Sequence, residues 1–282
     1  MIIKAYAKIN LAINIKGKRE DNYHELDMIM LPLELHDSID IMTLPEKYET
    51  YVTCDDYSLE TGEYNLCTIT VRKMKEIFNI KKNFRIHIHK NIPMGAGLGG
   101  GSADAAAVIR GIKTLLKLDI PYNKEIELAQ SIGADVPFCL RNMPARVEGV
   151  GEKLTPIIAL NNYYVLIVKP HIGLNTKEVY NQYDIVGSNS KADISKLIEL
   201  LSIGEDNLAP YMGNELEKAA ITLLPEIEKL KNLLMDDGFK NVMMSGSGSS
   251  VFIVSTNHKA LEKEFKKLEK LGYQTHLTKI LK

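Results

Sequence analysis

The chain has little that would tie it to a membrane, a nucleic acid or an oxidising compartment. Its longest apolar run, Tyr163 to Val168, is far too short to span a bilayer. The opening Met-Ile-Ile-Lys-Ala-Tyr-Ala-Lys has no signal-peptide core, so a cytoplasmic location is expected. A net charge of −1 and a pI near 6.7 leave no electrostatic footprint for nucleic acid or an anionic membrane. The three cysteines, Cys54, Cys67 and Cys139, are odd in number and widely spaced, with no Cys-x-x-Cys, which argues against a disulfide framework and a zinc site. Internal repeats, low-complexity tracts and a Pro/Ser-rich linker are also missing. What remains is a 282-residue chain, 45% hydrophobic and 25% charged, globular and long enough for one large or two medium domains. Small-molecule chemistry is the expectation.

Glycine, by contrast, is concentrated. Five of the seven residues from Gly95 to Gly101 are glycine, an accident of about 3 in 100,000 per window at an average usage near 7%. Each ordered glycine costs roughly 0.5–1 kcal/mol relative to alanine, so the cluster needs a task, and phosphate binding is the obvious one. Upstream, Phe84, Ile86 and Ile88 alternate with Arg85, His87 and His89 as in a half-buried strand. Downstream, Ser102 reads as an N-cap, followed by the helical pattern Ala103, Ala105 to Ile109, Ile112, Leu115 and Leu116. A strand, a loop poor in Cβ atoms and a helix N-terminus bring free N–H groups to one point.

No lysine follows the glycines, which excludes a Walker A loop. Gly95-Ala96-Gly97-Leu98-Gly99-Gly100 does satisfy Gly-x-Gly-x-x-Gly, with Asp119 about 20 residues on, where a ribose-binding acid is expected. Lys113 to Asp119 nevertheless reads as the end of the same helix, closed by Pro121, rather than as a second strand. A Rossmann-type NAD or FAD oxidoreductase is therefore the second reading.

From Ile3 to Ile15 every odd position is apolar, and the even ones include Tyr6, Lys8, Asn10 and Asn14. This predicts a strand with one core face and one polar face, on which Tyr6, Lys8 and Asn10 recur about every 7 Å; such a row could wall a site, but lysine on a strand is ordinarily a solvated residue or an edge gatekeeper. A polar turn over 17–24 and a second strand from Leu26 to Leu35 follow. Tyr23 and His24, beside that turn, could hold a planar ligand by stacking and edge hydrogen bonds. Ser245-Gly246-Ser247-Gly248, between Val242-Met244 and Val251-Val254, reads as a hairpin turn. His87-x-His89 reads as a polar strand face, and Lys259 to Leu271 as an amphipathic helix with Leu261, Phe265, Leu268 and Leu271 inward. Strands dominate to about Leu44 and helices alternate with strands afterwards, predicting an α+β fold with mixed sheets.

Lys8-Ile9-Asn10-Leu11, Asp21-Asn22-Tyr23-His24, Pro93-Met94-Gly95-Ala96-Gly97-Leu98-Gly99-Gly100-Gly101-Ser102, Gly133-Ala134-Asp135-Val136-Pro137 and Ser245-Gly246-Ser247-Gly248 occur in the order and spacing of one family. The chain resembles the kinases of the galactokinase, homoserine kinase, mevalonate kinase and phosphomevalonate kinase (GHMP) superfamily, from Lys4 to about Ile253. The Lys-Ile-Asn-Leu strand, the Tyr-His turn and the Gly-Ala-Asp-Val-Pro segment resemble the branch whose acceptor alcohol carries a cytidine diphosphate group. The resemblance implies a ribosomal protein S5 domain 2-like N-terminal domain over 1–155, with the ATP loop, and a ferredoxin-like C-terminal domain over 156–282. It implies ATP and Mg²⁺ as cofactors, a small-molecule acceptor, and a monomer or weak homodimer. Lys8 and Asp135 match the catalytic pair. Pro93, Met94, Gly95, Ala96, Gly97, Leu98, Gly99, Gly100, Gly101, Ser102 and Ala103 match the ATP loop, with Ser102 near the phosphates or Mg²⁺ and Asn65 near the adenine. Tyr23 and His24 match the residues that hold cytosine, Asn10 the substrate pocket, and Ser245 and Gly246 a motif closing over substrate and phosphate. Asn22 stands where glycine is usual, a position asparagine tolerates in the left-handed region. Another small-alcohol kinase of the superfamily is the nearest alternative; it would have no use for a cytosine pocket.

Overall fold

The computed structural model describes residues 1–281. In chain order the elements are β1 (Ile2–Lys18), β2 (His24–Leu44), β3 (Tyr51–Cys54), α1 (Leu66–Phe78), β4 (Asn83–His89), α2 (Gly100–Leu116), α3 (Tyr122–Ile132), α4 (Val136–Arg141), β5 (Ala145–Gly149), β6 (Lys153–Pro156), β7 (Tyr164–Lys169), α5 (Thr176–Val186), α6 (Ile194–Ile203), β8 (Gly213–Asn214), α7 (Glu217–Leu223), α8 (Glu226–Asp236), β9 (Val242–Met244), β10 (Val251–Ser255), α9 (His258–Lys270) and β11 (Gln274–Lys279). They form two compact units, each discontinuous in sequence. One comprises 1–7, 35–92 and 99–142, the other 8–34, 93–98 and 143 onward, and β1 and β2 run through both. Residue 155 lies in β6, within the second unit.

In the first unit the C-terminal part of β2 pairs antiparallel with β4, from Ser38↔His89 to Leu44↔Asn83, and β4 pairs parallel with β3. α2 packs on α1 and α4. From Ala103 to Ile109 it is buried alanine, valine and isoleucine apart from Asp104, so the helix can approach the sheet closely. A Cβ on Gly111 would stand 2.9 Å from Ile41 Cγ2. After α2 the chain continues into α3 and α4 rather than a second parallel strand. That order overturns the Rossmann alternative, which needs a βαβ unit at this point.

In the second unit the strand order β11-β7-β10-β9 is antiparallel throughout. With helices between β7 and β9 and between β10 and β11, this is the ferredoxin-like βαββαβ arrangement. The central strands β7 and β10 are buried along Val165–Val168 and Val251–Val254. β1 pairs parallel with β8, β2 antiparallel with β5, and β5 with β6. The fold is α+β, and no helix among the described residues is long and apolar enough to cross a membrane.

Three local expectations are corrected. Ser102 is not the cap of α2. Gly99 occupies that position at φ +70°, a conformation glycine adopts freely, so the helix starts at Gly100 and Ser102 is its third residue. The polar face of β1 is not solvated: Lys8, Asn10 and Asn14 are all buried, because other elements cover that face as well. Finally, Leu271 lies beyond α9 and is exposed, whereas Leu261 and Leu268 face the core as expected.

Candidate active site

The second unit gathers one group of the expected residues around β1. Lys8 and Asn10, two apart on a strand, point the same way and are 4% and 1% exposed. Lys8 Nζ donates to Asn10 Oδ1 at 2.9 Å, and Asn10 Nδ2 reaches Met28 Sδ on β2 at 3.5 Å. The Lys8 backbone N–H donates to the Leu98 carbonyl at 3.0 Å, which ties β1 to the glycine loop.

That loop is gripped by its carbonyls. Gly95 O accepts from Leu174 N (3.3 Å) and Ser249 N (3.4 Å), Ala96 O from Ser250 N (3.4 Å), and Gly97 O from Ser245 Oγ (3.0 Å). Gly95 and Gly97 hold φ of +61° and +72°. A Cβ on Gly97 would stand 2.0 Å from Ser245 O, so only glycine fits. A Cβ on Gly246 would stand 2.8 Å from Gly97 O and 3.1 Å from Lys8 Nζ. Lys8, Gly97 and Gly246 are thus immediate neighbours. Asn214 secures this turn by donating from Nδ2 to Met244 O and Gly246 O, at 3.1 and 2.8 Å.

At the start of β2 the turn residues diverge. Asn22 adopts φ +67°. Tyr23, whose N–H donates to Asp21 Oδ1 at 3.1 Å, is 60% exposed. His24 is buried and stacks on Tyr180, with centroids 4.9 Å apart and planes at 26°, while Tyr183 meets it edge-on at 5.9 Å. His24 Nε2 lies 2.7 Å from Asp184 Oδ1, and Lys18 Nζ lies 2.6 Å from Asp184 Oδ2. Lys18, then His24, hold the Asp184 carboxyl below the usual carboxylate range. Tyr183 donates its hydroxyl to Glu215 Oε2 at 3.1 Å; burial and that carboxylate push its phenol up to about 12.

Sequence reading missed Tyr180, Tyr183, Asp184 and Asn214. The three α5 residues left a faint signal, tyrosines three apart with an adjacent acid on a helix where only Val179 is buried. Asn214 left none.

The first unit holds the second group. Gly99 O accepts from Ala103 N at 2.8 Å, and no side chain caps the first turn of α2. Ser102, in that turn, has its Oγ 3.9 Å from where a Cβ on Gly133 would stand, beside the turn that carries Asp135. Asp135 is half-buried at the start of α4, its carbonyl accepting from Cys139 N at 3.0 Å, with Pro137 fixing the first turn. Asn65 caps α1: its Oδ1 accepts from Cys67 N at 2.8 Å and its Nδ2 donates to Glu60 O at 2.7 Å.

Known families match this chain. The family described as GHMP kinases N terminal domain matches residues 65–142, and GHMP kinases C terminal matches 189–274. The chain is 38% identical over 258 residues to the 4-diphosphocytidyl-2-C-methyl-D-erythritol kinase of Caldicellulosiruptor saccharolyticus, covering 91% of this chain and 89% of that one. With the protein of that name from Clostridium acetobutylicum it shares 35% over 280 residues, 99% of each. A crystal structure of a 4-(cytidine 5'-diphospho)-2C-methyl-D-erythritol kinase matches with a TM-score of 0.81 at 29% identity, covering 99% of both chains. A homoserine kinase from Cytophaga hutchinsonii, at 20% identity and a TM-score of 0.74 over 98% of this chain and 93% of its own, shares the fold. Fold and glycine loop together define an ATP-dependent small-molecule kinase of the GHMP type. Within that class, the chain belongs to the 4-diphosphocytidyl-2-C-methyl-D-erythritol kinase family.

Proposed function

We propose that the protein transfers the γ-phosphoryl group of ATP to the 2-hydroxyl of 4-diphosphocytidyl-2-C-methyl-D-erythritol, giving the 2-phosphate and ADP, in the non-mevalonate route to isoprenoids. Besides the family, the observation that carries this is the junction of Lys8 with the glycine loop through Leu98 O and with Gly246 through Nζ. It ties the acceptor strand directly to the phosphate loop.

The residues present suit a polyphosphate. Gly95, Gly97 and Gly99 all hold positive φ, and the carbonyls of the first two are taken by protein donors. The uncapped first turn of α2 offers N–H groups at the positive end of its dipole. Residues 93–103 hold the phosphates in this reading, and Asn65, its amide committed to the α1 cap, borders the adenine. Ser102 would be the protein's contact to Mg²⁺. When bound, Mg²⁺ neutralises charge on the transferred group.

Asp135 accepts the proton of the acceptor hydroxyl as the O–P bond forms, since a carboxylate is too weak a base to remove it beforehand. Lys8 stabilises the developing alkoxide, and positioning supplies most of the rest. Tyr23 and His24, with Tyr180 beneath the imidazole, hold the cytosine, and Asn10 borders the polyol. Gly246 borders the substrate, whereas Ser245, fully buried, acts through Gly97 O. The division near residue 155 and a monomer or weak homodimer complete the proposal. Incubation with ATP, Mg²⁺ and the diphosphocytidyl polyol, followed by phosphorus NMR, should show one new phosphomonoester per ADP. ADP release without that ester would replace this reading with a simple ATPase.

A further inference from the structure

A buried cluster of three charges joins the two stems of the glycine loop. Lys90 lies three residues before Pro93, with its side chain 6% exposed. Its ammonium donates to Asp37 Oδ2 and, at 2.8 Å, to Asp104 Oδ2. Asp37 turns its other oxygen to the upstream stem: Oδ1 accepts the N–H groups of Asn91 and Ile92 at 2.6 and 2.7 Å. Asp104 is the fifth residue of α2, and a Cβ on Gly100 would stand 3.2 Å from Lys90 Nζ. One ammonium therefore links residues 90–92, which lead into the loop, to residues 100–104, which lead out of it.

Such a cluster is a poor source of stability, because desolvation of the charges offsets most of their attraction and apolar replacements often do as well. Its cost is visible here. Asp104 Oδ1 has no hydrogen-bond partner. Burial, aided by the Asp37 charge and opposed by Lys90, pushes the Asp104 carboxyl up to about 7.

We propose that Lys90, Asp37 and Asp104 are positioning residues for phosphoryl transfer, which fix the spacing of the two loop stems so that the N–H groups at the start of α2 are aimed before the nucleotide arrives. The proposal rests on the reading of residues 93–103 as the ATP loop. It predicts an effect confined to the nucleotide, since Lys90 and Asp104 lie outside β1, β2 and α5, and Asp37, although on β2, lies well beyond His24 at that strand's start.

Asp37→Asn preserves volume but removes one of the two acceptor oxygens that join Lys90 to the stem. Dissociation of a non-hydrolysable ATP analogue by calorimetry, KM for each substrate and thermal unfolding would be measured on the full chain. The expected result is ATP-analogue Kd and ATP KM raised about ten- to a hundredfold, the scale of one lost hydrogen bond to a charged group, with acceptor KM unchanged. Asp104→Asn is read in the same way and serves if Asp37→Asn does not accumulate as folded protein. Lower melting temperature with unchanged ATP-analogue affinity would make the cluster merely structural. Equal increases in both KM values would also overturn the proposal. Wild-type protein that bound no ATP analogue would instead remove the ATP-loop reading itself.

Discussion

In the proposed reading, the glycine loop and the acceptor residues solve two recognition problems with opposite materials. From Gly95 to Gly101 the chain discards side chains and offers backbone, braced from behind by Ser245, Ser249, Ser250 and Leu174 on its carbonyls. Around Lys8, Asn10, His24 and Tyr180 it does the reverse, burying Lys8, Asn10 and His24, with Tyr180 half-buried against the imidazole and the His24 ring held by Asp184, itself paired with Lys18. On that reading, the contrast follows from the ligands. A polyphosphate presents several equivalent oxygens and a diffuse charge, which converging N–H groups satisfy. A pyrimidine on a polyol presents flat faces and a fixed pattern of donors and acceptors, which only shaped side chains can match.

If the two regions are functionally separate, substitutions should divide cleanly between the two substrates. The largest effect is expected for Asp135→Ala, which should lower kcat by about 10²- to 10⁴-fold, the usual worth of a general base. ATP-analogue affinity by calorimetry should stay within roughly tenfold, because the proposed mechanism has Asp135 act on the acceptor and not on the nucleotide. A collapse of ATP binding would move Asp135 to the nucleotide side. Next is Gly97→Ala, whose methyl would meet Ser245 O in a left-handed backbone conformation. The strain should lower unfolding free energy by about 2–4 kcal/mol in denaturant titration, and ATP affinity should fall more than acceptor affinity. Unchanged stability would mean that the brace behind the loop is dispensable.

Smaller still, Tyr180→Leu keeps bulk but loses aromatic stacking, worth about 0.5–1.5 kcal/mol. Acceptor KM should rise a few-fold while ATP KM stays put; the opposite pattern would break the contrast. A further effect concerns stability rather than either substrate, and is read through pH. The Asp104 carboxyl, raised to about 7 in the fold from near 4 in an unfolded chain, favours the protonated state when folded. Its stabilising contribution is full below about pH 4 and is lost as pH rises through about 7. Melting temperatures of Asp104→Asn should therefore lack a decline between those limits that the wild type shows.

The same contrast governs what could be read from the sequence. The glycine loop was conspicuous because its residues are adjacent and compositionally rare, and the strand and helix beside it follow ordinary periodicities. Lys8, Asn10 and His24 are common residues in strand and turn settings, and only their order with the other motifs singled them out. Alternation along β1 predicted a solvated polar face, yet those side chains are buried, because alternation reports side-chain polarity and not what covers the sheet. Ser102 resembled a cap by residue type, but Gly99 took the position through a left-handed turn that no side-chain preference encodes. Tyr180, Asp184 and Asn214 act through contacts far away in sequence, and Lys90, Asp37 and Asp104 are 53 and 14 residues apart. Pairings at such distances leave no local pattern.

The most direct test of the account is a comparison of kcat/KM for 4-diphosphocytidyl-2-C-methyl-D-erythritol, homoserine and mevalonate under one set of ATP and Mg²⁺ conditions. The acceptor residues around His24 and Tyr180 predict turnover of the diphosphocytidyl substrate and negligible turnover of the other two. Phosphorylation of homoserine or mevalonate, with none of the diphosphocytidyl compound, would contradict the assignment while leaving the ATP loop intact.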